Sequence, residues 1–217
     1  MGDIVLCFAD NPTGTYQYAF PEMASRGLRG IVLVPTALVG ARCRCTWPQL
    51  AELDAAGWDV CSHLDTGGNC EEMTIAELLY HLTLAYGSLL RYGHAGRFVF
   101  GPPGDHWNAS LTPTALLVGH TVIMAAANRG GVMPPGGPGG GWVFQKIGCA
   151  NRNAIADIQT AIDHCVAHAD RLLVLDFHQV VGEDADGTQA DVSRMLDVLD
   201  RAEASGVPIV TWSDLMP

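Results

Sequence analysis

Apolar residues in this chain fall into short unbroken runs separated by stretches where they recur every three or four positions. Ile4-Val5-Leu6-Cys7-Phe8 is the first run. Its large and β-branched side chains, without polar alternation, predict a strand buried on both faces. Asp10, Asn11, Pro12 and Gly14 end it as turn formers. Tyr16, Ala19, Phe20 and Met23 then return at helical spacing within residues 15–25, and Gly27 suits a helix stop. Pro21 inside that stretch implies a kink or a late helix start. A second buried run follows at Gly30-Ile31-Val32-Leu33-Val34-Pro35. Thr46 and Gln49 form a capping box ahead of Leu50 and Leu53, with Gly57 as the stop. Trp58-Asp59-Val60-Cys61-Ser62 predicts a third strand that runs straight into His63.

A second capping box, Thr74 with Glu77, opens a helix carrying Ile75, Leu78, Leu79, Leu82, Tyr86, Leu89 and Leu90 on one face. Arg97 to Phe100 reads as a fourth strand, then come a short helix and a strand over Thr121–Met124. Gly130 to Gly141 is dominated by Gly and Pro and reads as a long loop, with no Gly-Lys-Ser or Gly-Lys-Thr to make it a phosphate-binding loop. Trp142-Val143-Phe144 suggests a brief strand, and Asn153 a cap for a helix bearing Ile155, Ile158, Ile162, Cys165 and Val166. Leu172 to Phe177 is a strand ending at His178. Val192, Met195, Leu196 and Leu199 mark the last helix, and Val207 to Trp212 a final strand. Strand and helix alternate throughout, with no internal repeat and no dividing linker, so residues 1–217 read as one α/β domain with parallel strands. A closed or nearly closed barrel and an open doubly wound sheet both fit the pattern.

Composition narrows the function classes. The chain is 48% apolar and 16% charged over 217 residues, a heavily buried globular make-up. A net charge of −11 excludes a nucleic-acid backbone as the main partner, since that needs clustered Lys and Arg. No apolar run approaches the roughly 20 residues of a membrane span, so no membrane insertion is expected. The amino terminus shows no basic segment followed by an apolar core, so no secretory signal is read, and the final compartment stays open. Seven cysteines without a CxxC pair make neither a disulfide framework nor a zinc ribbon.

Candidate chemistry sits at the strand ends. Asp10, His63, Asp105 with His106, and His178 each follow a predicted strand, and a parallel barrel would bring those ends to one face. Asp and His are ligands for a divalent ion such as zinc, a metal-bound water is a nucleophile near neutral pH, and a further His can serve as general acid. Each residue equally suits a plain strand terminus, and Asp10 a turn cap.

The order of these segments resembles the polysaccharide deacetylases with the NodB homology domain, carbohydrate esterase family four. Cys7-Phe8-Ala9-Asp10-Asn11-Pro12 with Thr15-Tyr16 is similar to the family's Thr-Phe-Asp-Asp-Gly-Pro and downstream Thr-Tyr. Gly30 to Thr36 with Val39-Gly40, Trp47-Pro48-Gln49-Leu50, and Ala56 through His63 resemble its second strand and the approach to its metal histidines. Phe100-Gly101-Pro102-Pro103-Gly104 resembles its Arg-Pro-Pro-Tyr-Gly segment. Leu175-Asp176-Phe177-His178 and Val207 to Leu215 resemble its last two strands. The resemblance implies a single-domain distorted (β/α) barrel of about seven strands. It also implies one zinc-like divalent metal on an Asp and two His four residues apart, a second Asp as base, a late His as acid, and removal of N- or O-acetyl groups from glycans.

Carried over by position, Asp10 matches the metal Asp, His63 the first metal His and His178 the acid, with Pro102 and Pro103 in the substrate-facing segment. The chain departs from the pattern at three chemical positions. Ala9 stands at the base, Gly67 at the second metal His, and Gly101 at the Arg that braces the base. Loss of a general base alone typically costs about 10²–10⁴ in rate. Asp65, two residues from His63, would point the same way in extended chain and is a substitute catalytic carboxylate. Asp105 and His106 stand at a neighbouring strand end, and Tyr16, Trp107 and Trp142 are candidates for stacking on sugar rings. The resemblance with its departures implies a deacetylase-like domain that binds acetylated glycan or cell-wall polysaccharide, with weak or no metal-dependent activity. Two alternatives stand beside it: a structural module in a homo-oligomer or larger assembly such as a virus particle or cell-surface machine, and an active hydrolase with a rearranged site.

Overall fold

The computed structural model describes residues 1–125, 143–182 and 189–216. Seven parallel strands form one sheet: β1 (Asp3–Phe8), β2 (Ile31–Val34), β3 (Asp59–Ser62), β4 (Val99–Phe100), β5 (Val122–Ile123), β6 (Val143–Gly148) and β7 (Arg171–Phe177). Their spatial order is β5-β4-β3-β2-β1-β7-β6. From β1 to β5, and from β6 to β7, each strand neighbours the next in sequence, and β7 returns to β1, which is the cyclic order of a (β/α) barrel. A doubly wound sheet would instead reverse direction at a switch point. Among the described residues the ring stays open between β5 and β6, so the sheet is a curled half-barrel. The helices are α1 (Phe20–Ser25), α2 (Trp47–Ala55), α3 (Ile75–Arg91), α4 (Thr112–Val118), α5 (Ile155–Ala167), α6 (Val192–Ala204) and α7 (Trp212–Leu215). A small parallel pair, β8 (Val180–Val181) and β9 (Ala190–Asp191), precedes α6. No helix among the described residues is long and apolar enough to cross a membrane.

Strand parity divides the core into two layers. Ile4, Leu6 and Phe8 point outward and pack with Met23, Leu50, Leu53, Ile158, Ile162 and Leu199 beneath the helices. Val5, Cys7 and Ala9 point inward and join Leu33, Cys61, Val174 and Trp212 inside the half-barrel. Phe8 is the hub of the outer layer, its ring stacked 5.2 Å from Phe177 and 5.4 Å from Trp58. Both sheet faces are therefore covered, as the unbroken apolar runs require.

Both capping boxes form. Thr46 and Gln49 close the start of α2, and Thr74 and Glu77 the start of α3. Pro21 lies within a helical run that continues unbroken from the π-helical turn over Thr15–Ala19, and that widened turn, closed by Phe20 N–H to the Thr15 carbonyl, accommodates its missing N–H. Several expectations are corrected. The buried stripe of α3 is Leu78, Leu82, Ala85 and Leu89, while Ile75 and Leu90 stand about half exposed. Asn153 does not cap α5; Ala154 holds that position, and the Asn153 amide donates to the Gly148 carbonyl. The strand expected over Trp142-Val143-Phe144 is the longer β6. Trp142 and the Gly130–Gly141 stretch lie outside the described residues.

The final strand reduces to a single bridge. β1 pairs with β2 only through Cys7 and Phe8, which leaves the edge of its first half open. Pro208 and Val210 fill that edge: Ile4 N–H donates to the Pro208 carbonyl and Val210 N–H to the Ile4 carbonyl, both at 2.9 Å. The chain then turns into α7, and the Trp212 ring plugs the inner layer with its Nε1 3.0 Å from Met124 Sδ.

Candidate functional site

The loops at the carboxyl ends of β1 and β3 carry unusual backbone. Asp10 (φ 70°) and Asn11 (φ 52°) both adopt the left-handed region, which Asp and Asn tolerate better than other side chains. Asn11 is fully buried, and its amide donates to the Cys45 carbonyl at 3.2 Å while Cys45 N–H donates back to the Asn11 carbonyl at 3.0 Å. Arg44 adds a guanidinium hydrogen bond to the Asp10 carbonyl and stands 3.8 Å from Asp10 Oδ1. The Asp10 carboxylate is thus held over the strand ends by a loop tied down on its far side.

At the end of β3, His63 N–H continues the ladder to the Val34 carbonyl. Its nearly buried ring lies with Nδ1 2.6 Å from the Gly101 carbonyl and Nε2 3.7 Å from Asp10 Oδ1. The carbonyl can only accept, so Nδ1 carries the proton and Nε2 presents its lone pair to Asp10. Burial pushes the His63 pKa down, against the pull of the Asp10 charge.

Two charged groups join them from the inner face of the half-barrel. Register places Cys7 beside Asp176 and Lys146 beside Val174, both inward positions. Lys146 Nζ sits 3.2 Å from Asp176 Oδ2 and 3.1 Å from Asp105 Oδ1, with the Lys146 side chain 18% exposed and that of Asp176 only 3%. Burial would lower the Lys146 pKa, but Asp176 and Asp105 outweigh it and hold the ammonium firmly charged. Burial, reinforced by Asp176, pushes the Cys7 thiol well above its ordinary pKa, so Cys7 stays a neutral thiol.

A cavity of about 410 Å³ opens over these groups, lined among others by Ala9, Asp10, His63, Gly67, Pro103, Asp105, Lys146, Arg152, Asp176 and His178. A second, of about 310 Å³, lies alongside and shares Asp10 and His178, with Arg42, Cys43, Arg44 and Gln189 on its wall. Asp10, His63, Asp105, Pro103 and His178 therefore converge. The other candidates do not line either cavity. Asp65 turns toward α3, its Oδ1 2.7 Å from His81 Nδ1. Trp107 is fully buried against Phe100 and donates its Nε1 proton to Thr112, so it offers no face to a sugar. Tyr16 packs on Phe20 and donates its hydroxyl proton to Glu52, Pro102 is buried beneath the loop, and His106 leans toward Glu71 at 3.7 Å. Lys146, Arg152 and Arg44 had no role in the sequence reading. The inward parity of Lys146 depends on β6 pairing with β7, a long-range fact.

The donor set was expected to hold a divalent ion. Asp10 Oδ1 and His63 Nε2 are spaced closely enough to share one. A third donor is missing: among the described residues no three His, Cys, Asp or Glu side chains are grouped to hold a metal. Gly67 stands bare in the cavity wall, and the Arg44 cation approaches the same Asp10 oxygen. The residues present do not fit a three-ligand metal centre.

No protein-family model matches the chain, and no curated protein matches its sequence. Solved structures do match. The family 4 carbohydrate esterase from Streptomyces lividans, in complex with acetate, is 15% identical with a TM-score of 0.65, over 96% of this chain and 91% of that one. The chitin deacetylase of the fungal pathogen Colletotrichum lindemuthianum is 12% identical with a TM-score of 0.67, over 98% and 86%. The fold is that of the family 4 carbohydrate esterases. A mutant of a pseudoenzyme of that family, with restored enzymatic activity, shares it too, at 10% identity and a TM-score of 0.64 over 99% of this chain and 67% of that one. At these identities the likeness is one of fold, and it bears out the NodB-like (β/α) barrel expected from the motifs.

Proposed function

We propose that this esterase-fold domain binds acetylated glycan in the strand-end cleft and has weak or no metal-dependent deacetylase activity. One observation carries the reading: only Asp10 and His63 of the expected metal ligands come together, beside Ala9, which has no proton-accepting group. The cleft remains suited to a sugar. Asp10, Arg152 and His178 offer donors and acceptors to hydroxyl and amide groups, and the fold leaves the cavity open to solvent along the strand ends. His178, which lines the same cavity, is the residue this reading assigns as general acid in any residual hydrolysis.

Calorimetric titration with acetylated and de-acetylated chitooligosaccharides, alongside an acetate-release assay with and without added zinc, tests the reading. Saturable binding that weakens in Asp10→Ala, without appreciable acetate release, is the expected result. Substantial zinc-dependent turnover abolished by Asp10→Ala or His63→Ala overturns it, and so does the absence of any binding. A second reading, a component of a larger assembly, is favoured by one feature: Tyr80, Leu84 and Leu90 on α3 and Leu116 and Leu117 on α4 are exposed apolar side chains. A monodisperse monomer by light scattering removes that reading.

A further inference from the structure

The cleft carries its own cation. Lys146 rises from the inner wall of the half-barrel and ends between two carboxylates on different elements, Asp176 of β7 and Asp105 of the loop after β4. Asp176 is almost fully buried, and a buried carboxylate without a partner is strongly unfavourable. An ammonium between two carboxylates offsets one of their two charges at close range and is covalently tethered, so solvent cannot wash it away. We propose that Lys146 is a built-in counter-ion that keeps divalent cations out of this cleft, and that its removal exposes a cation site at Asp105 and Asp176, with Asp10 and His63 on the same wall. The proposal rests on the reading of the cleft as lacking a working metal centre.

Two physical arguments support it. A divalent ion drawn to Asp10 and His63 would meet the fixed positive charge of Lys146 on the wall of the same cavity, and like charges repel. The two oxygens Lys146 now bridges, Asp105 Oδ1 and Asp176 Oδ2, would meanwhile be unavailable as ligands, since the ammonium occupies the space between them. Hard oxygen donors of this kind are what a divalent cation uses when the ammonium is absent.

The test is a titration with Co²⁺, read by its visible absorption, and with Zn²⁺, read by calorimetry. Cys43→Ser is the background, because Cys43 is the one exposed thiol among the described residues. The chain with Lys146 intact is expected to show no saturable single-site binding. Lys146→Ala is expected to bind one ion at least about a hundredfold more tightly, as removal of one like charge beside a divalent ion requires. Lys146→Arg, which keeps the charge, should behave as the parent, and adding Asp176→Asn to Lys146→Ala should abolish the gain. If the alanine variant does not fold, Lys146→Gln keeps the stem and a donor for the carboxylates, and the same outcomes apply. A folded Lys146→Ala or Lys146→Gln that binds no better than the parent overturns the role of Lys146 and leaves the glycan reading standing. A parent that binds Co²⁺ tightly and releases acetate overturns both.

Discussion

Acid should unfold this protein partly through one histidine that lines neither cavity. His120 is fully buried between α4 and β5. Its Nδ1 is 2.9 Å from the Arg97 carbonyl, to which it donates, and its ring meets the edge of Tyr86 and the face of Phe100 at 5.4 Å each. Nε2 has no hydrogen-bond partner among the described residues. Burial therefore penalises the cation, and the pKa is pushed down from 6.5 to about 4 despite the Arg97 carbonyl. The folded-state pKa is the lower one, so below pH 6.5 the unfolded chain binds a proton that the folded chain refuses. Stability is intact above the unfolded value and is lost as pH falls toward the folded one. Linkage gives a loss of about 2 kcal/mol at pH 5 and about 3 kcal/mol at pH 4. For a chain of this size, 2 kcal/mol is about 4–8 °C in Tm. His63, also lowered by burial, adds in the same direction, whereas Asp59, raised by burial, acts oppositely as its carboxyl protonates. Urea unfolding of the parent and His120→Phe across this pH range separates them. The variant should lose about 1 kcal/mol at neutral pH through the unpaired Arg97 carbonyl, yet decline less steeply in acid. Parallel declines for the two proteins would refute the argument.

Two further substitutions probe the scaffold that presents the cleft. Phe8→Ala removes the ring stacked on Phe177 and packed on Trp58 at the hub of the outer layer, and should cost about 3–5 kcal/mol in chemical unfolding. Gly14→Ala would place a methyl carbon 1.8 Å from the Val180 carbonyl oxygen, a backbone atom that cannot step aside, so the loop after β1 should lose its seat on β8 and the protein its solubility or several degrees of Tm. Gly27→Ala is the control: nothing lies within 4 Å of its added carbon, and only its φ of +69° is strained, so it should cost about 1 kcal/mol.

The layer structure was legible because it is written in local terms. The run from Ile4 to Phe8 is apolar on both parities, and the strand it forms is covered on both faces. Thr46 with Gln49 and Thr74 with Glu77 sit where α2 and α3 begin. What failed depended on partners distant in sequence. Val207 to Trp212 has strand composition, but the sheet offers it only the edge left where β1 and β2 diverge. Asp65 was expected beside His63 on the premise of extended chain. Leu64 between them takes φ 63°, which turns the backbone and delivers Asp65 to His81. Trp107 follows a turn-rich segment that reads as exposed, yet it fills the space between Phe100 and α4.

The same distinction shapes the chemistry of the cleft. Asp10 and His63 were recognisable from their strand-end positions, whereas Lys146 acquires its place only once β6 is in register with β7. The departures at Ala9, Gly67 and Gly101 are also less independent than the sequence suggests. A side chain at Gly101 would begin 2.5 Å from Leu33 Cδ1, so the bracing Arg that the resemblance places there needs Leu33 of the inner core to move. A histidine at Gly67 would have to adopt φ +72°, a conformation L side chains rarely hold. A carboxylate at position 9 would enter a nearly buried, inward-facing site, close to where Asp176 already requires Lys146 for neutrality. Reversal at Gly101 or Ala9 therefore meets a neighbour already in place, and reversal at Gly67 meets a strained backbone. On the proposed reading the cleft is a settled alternative arrangement of charge on an esterase scaffold, with Lys146 as its organising group.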